Sequence, residues 1–307
     1  MPSLSYSGVF VVMLTPVDRE GGVALNVVDQ LVDFYVRAGV DGIFPCGSAG
    51  EAIHLSFDQK AELIRRVAAR SAERVQVLPG AIASNAKDSL ALAVVAREAR
   101  CNGIVVPPPI YYKFEPAYIR QYFQTILDGA DMPVVLYNIP VYGQPLDPKM
   151  LESLAHHPNV AGIKDSSGSM VDFLHFMDAT RDVDRKVGFM SGREELLFAS
   201  LAVGGSGSMS AINAIVPEVM VRIHDLFYDG DLVASNALQM SLMDLIHAMY
   251  AIQVPIGFRE ALTMRGFAMG DAVHAPPKEE LSLMKPKLAI IKRELDAVLK
   301  LHEAATS

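Results

Sequence analysis

The chain has 307 residues, of which 51% are hydrophobic and 20% charged, so a large core is readily buried. A net charge of −8 with no run of Lys or Arg excludes the basic face that nucleic acid or an acidic membrane surface requires. The two cysteines, Cys46 and Cys101, sit in neither C-x-x-C nor Cys/His spacing, which argues against a disulfide framework and for a reduced, cytoplasmic setting.

Residues 1–8 lack the basic and apolar regions of a signal peptide. Mean hydropathy is +0.25, yet the apolar stretches are short and none approaches the ~20 residues of a membrane span. In chain order, apolar runs fall at 9–14, 42–46, 75–81, 103–106, 133–138, 160–164, 187–191 and 205–209. They are rich in Val and Ile at consecutive positions, the pattern of parallel strands buried on both faces. Helical spacing fills the gaps. Leu25, Val28, Leu31, Val32 and Tyr35 share one face, Ser56 with Gln59 forms a capping box, Ser84 opens a further helix, and Asp147-Pro148 starts another.

Eight strand–helix units predict an α/β fold, a (β/α)8 TIM barrel over residues 1–228. A doubly wound open sheet is the competitor, but no G-x-G-x-x-G follows the first strand. After Asp229-Gly230 the strands stop. Residues 229–307 read as a C-terminal helical appendage, with helices at 232–251, 257–269 and 288–304 and a loop at Ala275-Pro276-Pro277.

A TIM barrel carries its chemistry at the C-terminal ends of the strands. There stand Gly47-Ser48-Ala49-Gly50-Glu51 after the second apolar run and Tyr137-Asn138-Ile139-Pro140 after the fifth. Gly162-Ile163-Lys164-Asp165-Ser166-Ser167 follows the sixth, and Ser191-Gly192-Arg193-Glu194-Glu195 the seventh. Lys164 closes an apolar strand, where desolvation lowers an amine's pKa and makes it a nucleophile for a carbonyl. The bland alternative is a lysine paired with Asp165 or Glu51. Tyr137, one strand earlier, is placed to move protons, unless its hydroxyl simply meets water. The 47–50 turn offers backbone N–H groups and one hydroxyl to a carboxylate, or is only a tight turn. The histidines form no metal-ligand pattern, so no metal and no dissociable cofactor are expected.

Together the 47–51, 137–140 and 162–167 motifs closely resemble the dihydrodipicolinate synthase / N-acetylneuraminate lyase family of class I aldolases and lyases. The resemblance covers nearly the whole chain. It implies a homotetramer, a dimer of dimers, that binds pyruvate or another small 2-oxo acid as a covalent Schiff base. It casts Lys164 as the Schiff-base lysine, Tyr137 as the acid/base, and Ser48 with Ala49 as the carboxylate-holding turn. Tyr111 is cast as the tyrosine that reaches into a neighbouring subunit's site, with Tyr112 the fallback. It places Gly207 or Ser208 over the carboxylate. Gly192-Arg193-Glu194-Glu195 and Ser208 resemble the segments that hold a sugar tail, although Glu194 and Glu195 also suit a helix start. Ala49 replaces a second hydroxyl. Tyr142 stands where dihydrodipicolinate synthases carry the arginine that holds aspartate semialdehyde.

The expectation is therefore a pyruvate-dependent aldolase or lyase acting on a hydroxylated 2-keto-3-deoxy sugar acid or an N-acetylneuraminate-like substrate. Cleavage, condensation and dehydration all remain open. The alternatives are a 4-hydroxy-tetrahydrodipicolinate synthase and, from another class, a non-catalytic 2-oxo-acid-binding regulator.

Overall fold

The computed structural model describes residues 6–183, 186–271 and 276–306. Eight short strands are present: β1 (Gly8–Val12), β2 (Gly42–Phe44), β3 (Gln76–Val77), β4 (Ile104–Val106), β5 (Val134–Asn138), β6 (Val160–Asp165), β7 (Gly188–Ser191) and β8 (Gly207–Ser210). They form one sheet in the order β3-β2-β1-β8-β7-β6-β5-β4, and every named pairing is parallel. A parallel bridge between Gly80 and Val105 joins the two outer strands of that order and closes the barrel. Val105 N–H donates to Pro79 O, and Ala81 N–H to Val105 O, at 2.9 Å each. The expected strand at 75–81 shortens to two residues because Pro79 carries no N–H for the ladder.

Between the strands run α1 (Leu25–Arg37), α2 (Phe57–Ser71), α3 (Ala86–Glu98), α4 (Pro116–Gly129), α5 (Pro148–Ala155), α6 (Met170–Ala179) and α7 (Leu197–Ala202). After β8 come α8 (Ile212–Ile215), α9 (Pro217–Tyr228), α10 (Leu232–Ser241), α11 (Met243–Tyr250), α12 (Ile256–Met264) and α13 (Lys278–Thr306). The capping box at Ser56 and Gln59 forms, and the Asp147 carboxylate caps α5. Asn85, rather than Ser84, caps α3 by accepting from Asp88 N–H at 2.9 Å.

Three helical boundaries differ from expectation. The helix read at 232–251 breaks at Leu242, beside Ser241, whose hydroxyl bonds the Leu238 carbonyl at 2.7 Å, a side-chain contact that competes with the helix ladder. The one read at 257–269 is α12 and stops at Met264. The last starts ten residues early, at Lys278, and carries Pro286 within it. Of the Ala275-Pro276-Pro277 loop, Ala275 lies outside the described residues.

Two apolar layers position the mouth. Phe10, Val12, Phe44, Leu78, Val105, Val135, Tyr137, Met190 and Met209 fill the barrel interior. A larger cluster lies between sheet and helices, and it takes in Leu245, Met249, Phe258 and Leu262 from α11 and α12. Those C-terminal helices thus pack into the same core as the barrel's outer layer.

Candidate active site

Alternation along β5 and β6 sends Tyr137 and Lys164 to the interior, where they are direct cross-strand partners. Lys164 is 2% exposed, and its Nζ lies 4.2 Å from the centre of the Tyr137 ring and 4.8 Å from that of Phe44. Burial among these rings lowers the Lys164 pKa to about 7, and the nearby Glu194 charge opposes part of that fall. An amine that titrates near neutrality supplies free nucleophile at ordinary pH.

Neither bland partner for the lysine holds. The Asp165 carboxylate accepts from Asn138 Nδ2 at 2.7 Å and from the Ser167 hydroxyl at 2.8 Å. Glu51 pairs with Arg259 at 2.7 Å. Asn138 in turn accepts from Leu146 N–H at 2.9 Å. The residues beside Tyr137 and Lys164 in sequence therefore lock the two strand ends together.

Burial raises the Tyr137 phenol to about 12, with the Ser166 and Ser48 hydroxyls offsetting part of the rise. The phenol is therefore protonated at neutral pH. Ser48 and Ala49 both line the cavity that holds Lys164 and Tyr137. The 47–50 turn is held from behind, since Thr15 Oγ1 donates to Gly50 O at 2.6 Å. Gly192 lies where a Cβ would come within 2.0 Å of Ser166 Oγ and 2.8 Å of Lys164 Cε, so only glycine leaves the lysine room.

This cavity, of about 280 Å³, is completed by Val12, Ile139, Val141, Tyr142, Ser166, Arg193, Glu194, Ser210, Ala211, Tyr250, Val254 and Phe258. Glu194 is 2% exposed. Its carboxylate accepts from Ala211 N–H at 3.1 Å and from Tyr250 OH at 2.7 Å, while burial raises its pKa. A second, more apolar cavity of about 610 Å³ adjoins the first through Ser48, Ile139, Tyr142 and Val254.

Of the residues expected at the site, Lys164, Tyr137, Ser48, Ala49, Gly192, Glu194 and Tyr142 converge on the smaller cavity. Tyr111 does not: it is 90% exposed, lines the larger cavity and stacks edge-on against Tyr112 at 4.8 Å. Glu195 turns away to pair with Arg193 at 3.2 Å. Gly207 and Ser208 are not at the mouth. Gly207 opens β8 opposite Gly8, with its Cα so close that a Cβ would fall 1.9 Å from Gly8 O. Ser208 is fully buried against Asn213 Nδ2 at 2.9 Å. The last strand reaches the cavity through Ser210 and Ala211 instead, because Gly207 and Ser208 stand too low on it.

Ser166, Arg193, Ser210 and Tyr250 were not singled out by the sequence. Period-two spacing from Lys164 marks Ser166 as facing the same way. No local signal marks Tyr250, which arrives from the far helix α11.

A closed (β/α)8 barrel with a titratable lysine beside a buried phenol at its mouth is the architecture of a class I aldolase or lyase. The chain belongs to the dihydrodipicolinate synthetase family, whose sequence profile matches residues 5–293, and it is an enzyme of that lyase and aldolase class. It is 32% identical over 268 residues to the 4-hydroxy-tetrahydrodipicolinate synthase of Methanoculleus marisnigri, covering 86% of this chain and 91% of that one. A DapA-like lyase of Thermofilum pendens is 29% identical, over 95% of this chain and 98% of the relative. Among solved structures, the E. coli K12 prophage protein YagE in complex with pyruvate superposes with a TM-score of 0.87. It shares 28% identity and covers 95% of this chain and 98% of its own. A Ruminococcus gnavus sialic acid aldolase at 22% identity and TM-score 0.85, covering 95% and 98%, shares the fold. Among the described residues no His/Cys/Asp/Glu cluster suits a metal ion, and no helix is long and apolar enough to cross a membrane.

Proposed function

We propose that the protein is a class I aldolase or lyase whose Schiff base forms on Lys164 and whose substrate, in the cleavage direction, is a hydroxylated 2-oxo acid that yields pyruvate and an aldehyde. The observation that carries this is the buried Lys164 amine, titrating near 7, in cross-strand register with Tyr137. Neutral Lys164 adds to the C2 carbonyl, water leaves, and a protonated imine results. In the cleavage direction Tyr137, deprotonated through the imine-forming steps, takes the proton of the C4 hydroxyl. The C3–C4 bond breaks, its electron pair enters the imine to give an enamine, and an aldehyde departs. Protonation at C3 and hydrolysis then release pyruvate and free Lys164. Ser48 and Ala49 N–H bind the carboxylate beside the imine, and Ser48 and Ser166 tune the phenol.

Glu194 at the cavity wall supports a hydroxylated substrate, since its carboxylate is a fixed acceptor. Removal of a C3 proton from the intact imine, followed by loss of the C4 hydroxyl as water, would give dehydration instead. The second reading is condensation of pyruvate with aspartate semialdehyde, favoured by the name of the Methanoculleus relative. Against it stands Tyr142, an uncharged cavity residue where that resemblance expects an arginine. A homotetramer in which Tyr111 completes a neighbour's site is supported by the exposure of that ring in the single chain.

Borohydride reduction in the presence of pyruvate, read by intact mass and peptide mapping, tests the reading. A reduced pyruvyl adduct on the peptide holding Lys164, absent from a Lys164→Ala variant, is expected. Folded protein that traps neither pyruvate nor any larger 2-oxo acid would overturn it. Turnover of pyruvate with aspartate semialdehyde, and of no sugar-derived acid, would select the second reading.

A further inference from the structure

The sequence gives Arg193 no role of its own within the 192–195 segment, yet it lines the cavity alongside Lys164. Its side chain is 30% exposed, and the guanidinium lies 5.2 Å from the centre of the Tyr250 ring. One edge donates from Nη2 to Glu195 Oε1 at 3.2 Å, and no other described group accepts from the remaining guanidinium N–H groups. Tyr250 holds the arrangement together, because its hydroxyl donates to Glu194 while its ring supports the arginine. The cavity wall therefore carries two cationic side chains of different kinds. Lys164, titrating near neutrality, is suited to bond formation. Arg193 is a permanent cation with a planar fork of unused donors.

Glu194 is near enough to act on the Arg193 charge but takes none of its hydrogen bonds, since its carboxylate oxygens accept from Ala211 N–H and Tyr250 OH. An arginine packed against an aromatic ring, lining a small cavity with donors to spare, matches the two oxygens of a carboxylate. We infer that Arg193 binds a second carboxylate, at the end of the substrate remote from the Schiff base, so that the preferred substrates are 2-oxo-3-deoxy diacids of the aldarate type. The aldonate-type acids that end in a primary alcohol are then disfavoured. This rests on the reading of Lys164 as the imine-forming residue, and it goes beyond that reading by specifying the far end. Tyr142, also on the cavity wall, contributes no charge.

The test uses a matched pair of six-carbon 2-oxo-3-deoxy acids of the same stereochemistry, one ending in a carboxylate and one in CH2OH. On the unsubstituted protein, kcat/KM for the diacid is expected to exceed that for the monoacid by about 10- to 100-fold, the range of a charge-assisted bidentate contact. Arg193→Met should collapse that ratio to near one, chiefly through KM for the diacid, and Arg193→Lys should keep part of it. A ratio near one in the unsubstituted protein, or a ratio untouched by Arg193→Met, overturns the proposal. Calorimetric binding of the two acids to Lys164→Ala gives the same comparison without turnover, so an unfolded Arg193 variant or a failure of the Schiff-base reading leaves the anchor testable. Failure of borohydride trapping alone would point to the lysine; loss of diacid preference alone would point to Arg193.

Discussion

Under the proposed function, Lys164 sets the pH dependence of the site. A lysine in water titrates near 10.4, whereas burial beside Phe44 and Tyr137 brings this one to about 7. The reactive form is the neutral amine, so kcat/KM for a 2-oxo acid should rise with pH, inflect near 7 and then level off. Tyr137, pushed up to about 12, stays protonated across that range and adds no second limb below it. The Glu194 charge holds the Lys164 pKa up, so Glu194→Gln should move the inflection to lower pH. A pH–rate profile read by pyruvate release checks both; an inflection above 9, or a Glu194→Gln shift to higher pH, contradicts the assignment. The lysine and the tyrosine were legible in the sequence because a polar side chain ending an apolar strand has few places to go but the mouth. Arg193 and Glu195 could not be sorted that way. They stand two residues apart beyond the end of β7, and only Arg193, packed against Tyr250, lines the cavity.

The strands β5, β6 and β7 behave as one unit around the lysine. Asn138 and Asp165 tie β5 to β6 beyond the reactive pair, and Gly192 N–H donates to Asp165 O at 2.6 Å to bring in the end of β7. Gly192 is the tightest point, so Gly192→Ala should crowd Ser166 and Lys164. Overpacking of this kind costs about 1–3 kcal/mol, and displacing a nucleophile by roughly 1 Å costs about 100-fold in rate. Single-turnover trapping with pyruvate and urea denaturation measure the two effects; a variant that traps at the original rate would show that the gap is not needed. Element type was readable from runs of Val and Ile and from caps such as Ser56 and Asp147. Element ends were not. Pro79 cut β3 short, Ser241 broke a helix in two, and α13 ran through Pro286. Each boundary depends on a hydrogen bond or its loss, which hydrophobic periodicity does not report.

At the scale of the whole molecule, the C-terminal helices are part of the site's scaffold. Arg259 on α12 is 2% exposed and donates to Glu51 Oε2 and to the carbonyls of Thr15 and Met269, at 2.7–2.8 Å. It thereby fastens the end of β1 and the turn carrying Ser48 to a helix more than two hundred residues later in the chain. Breaking a buried pair from one side strands a charge, so Arg259→Leu should cost about 3–5 kcal/mol and raise KM for pyruvate as the 47–50 turn loosens. Chemical denaturation checks the first, and a Glu51→Gln/Arg259→Leu double variant should recover part of the loss; a change below about 1 kcal/mol would show the pair to be dispensable. The sequence by itself pointed to the barrel through strand periodicity, to the family through the resemblance of its strand-end motifs, and to the positions of Lys164 and Tyr137, because periodicity and the placing of polar groups at strand ends are local properties. Tertiary structure alone decided the rest of the cavity. Tyr250, Ser210 and Arg193 meet there because barrel closure and helix packing bring distant segments together, and the low start of β8 keeps Gly207 and Ser208 away from the mouth.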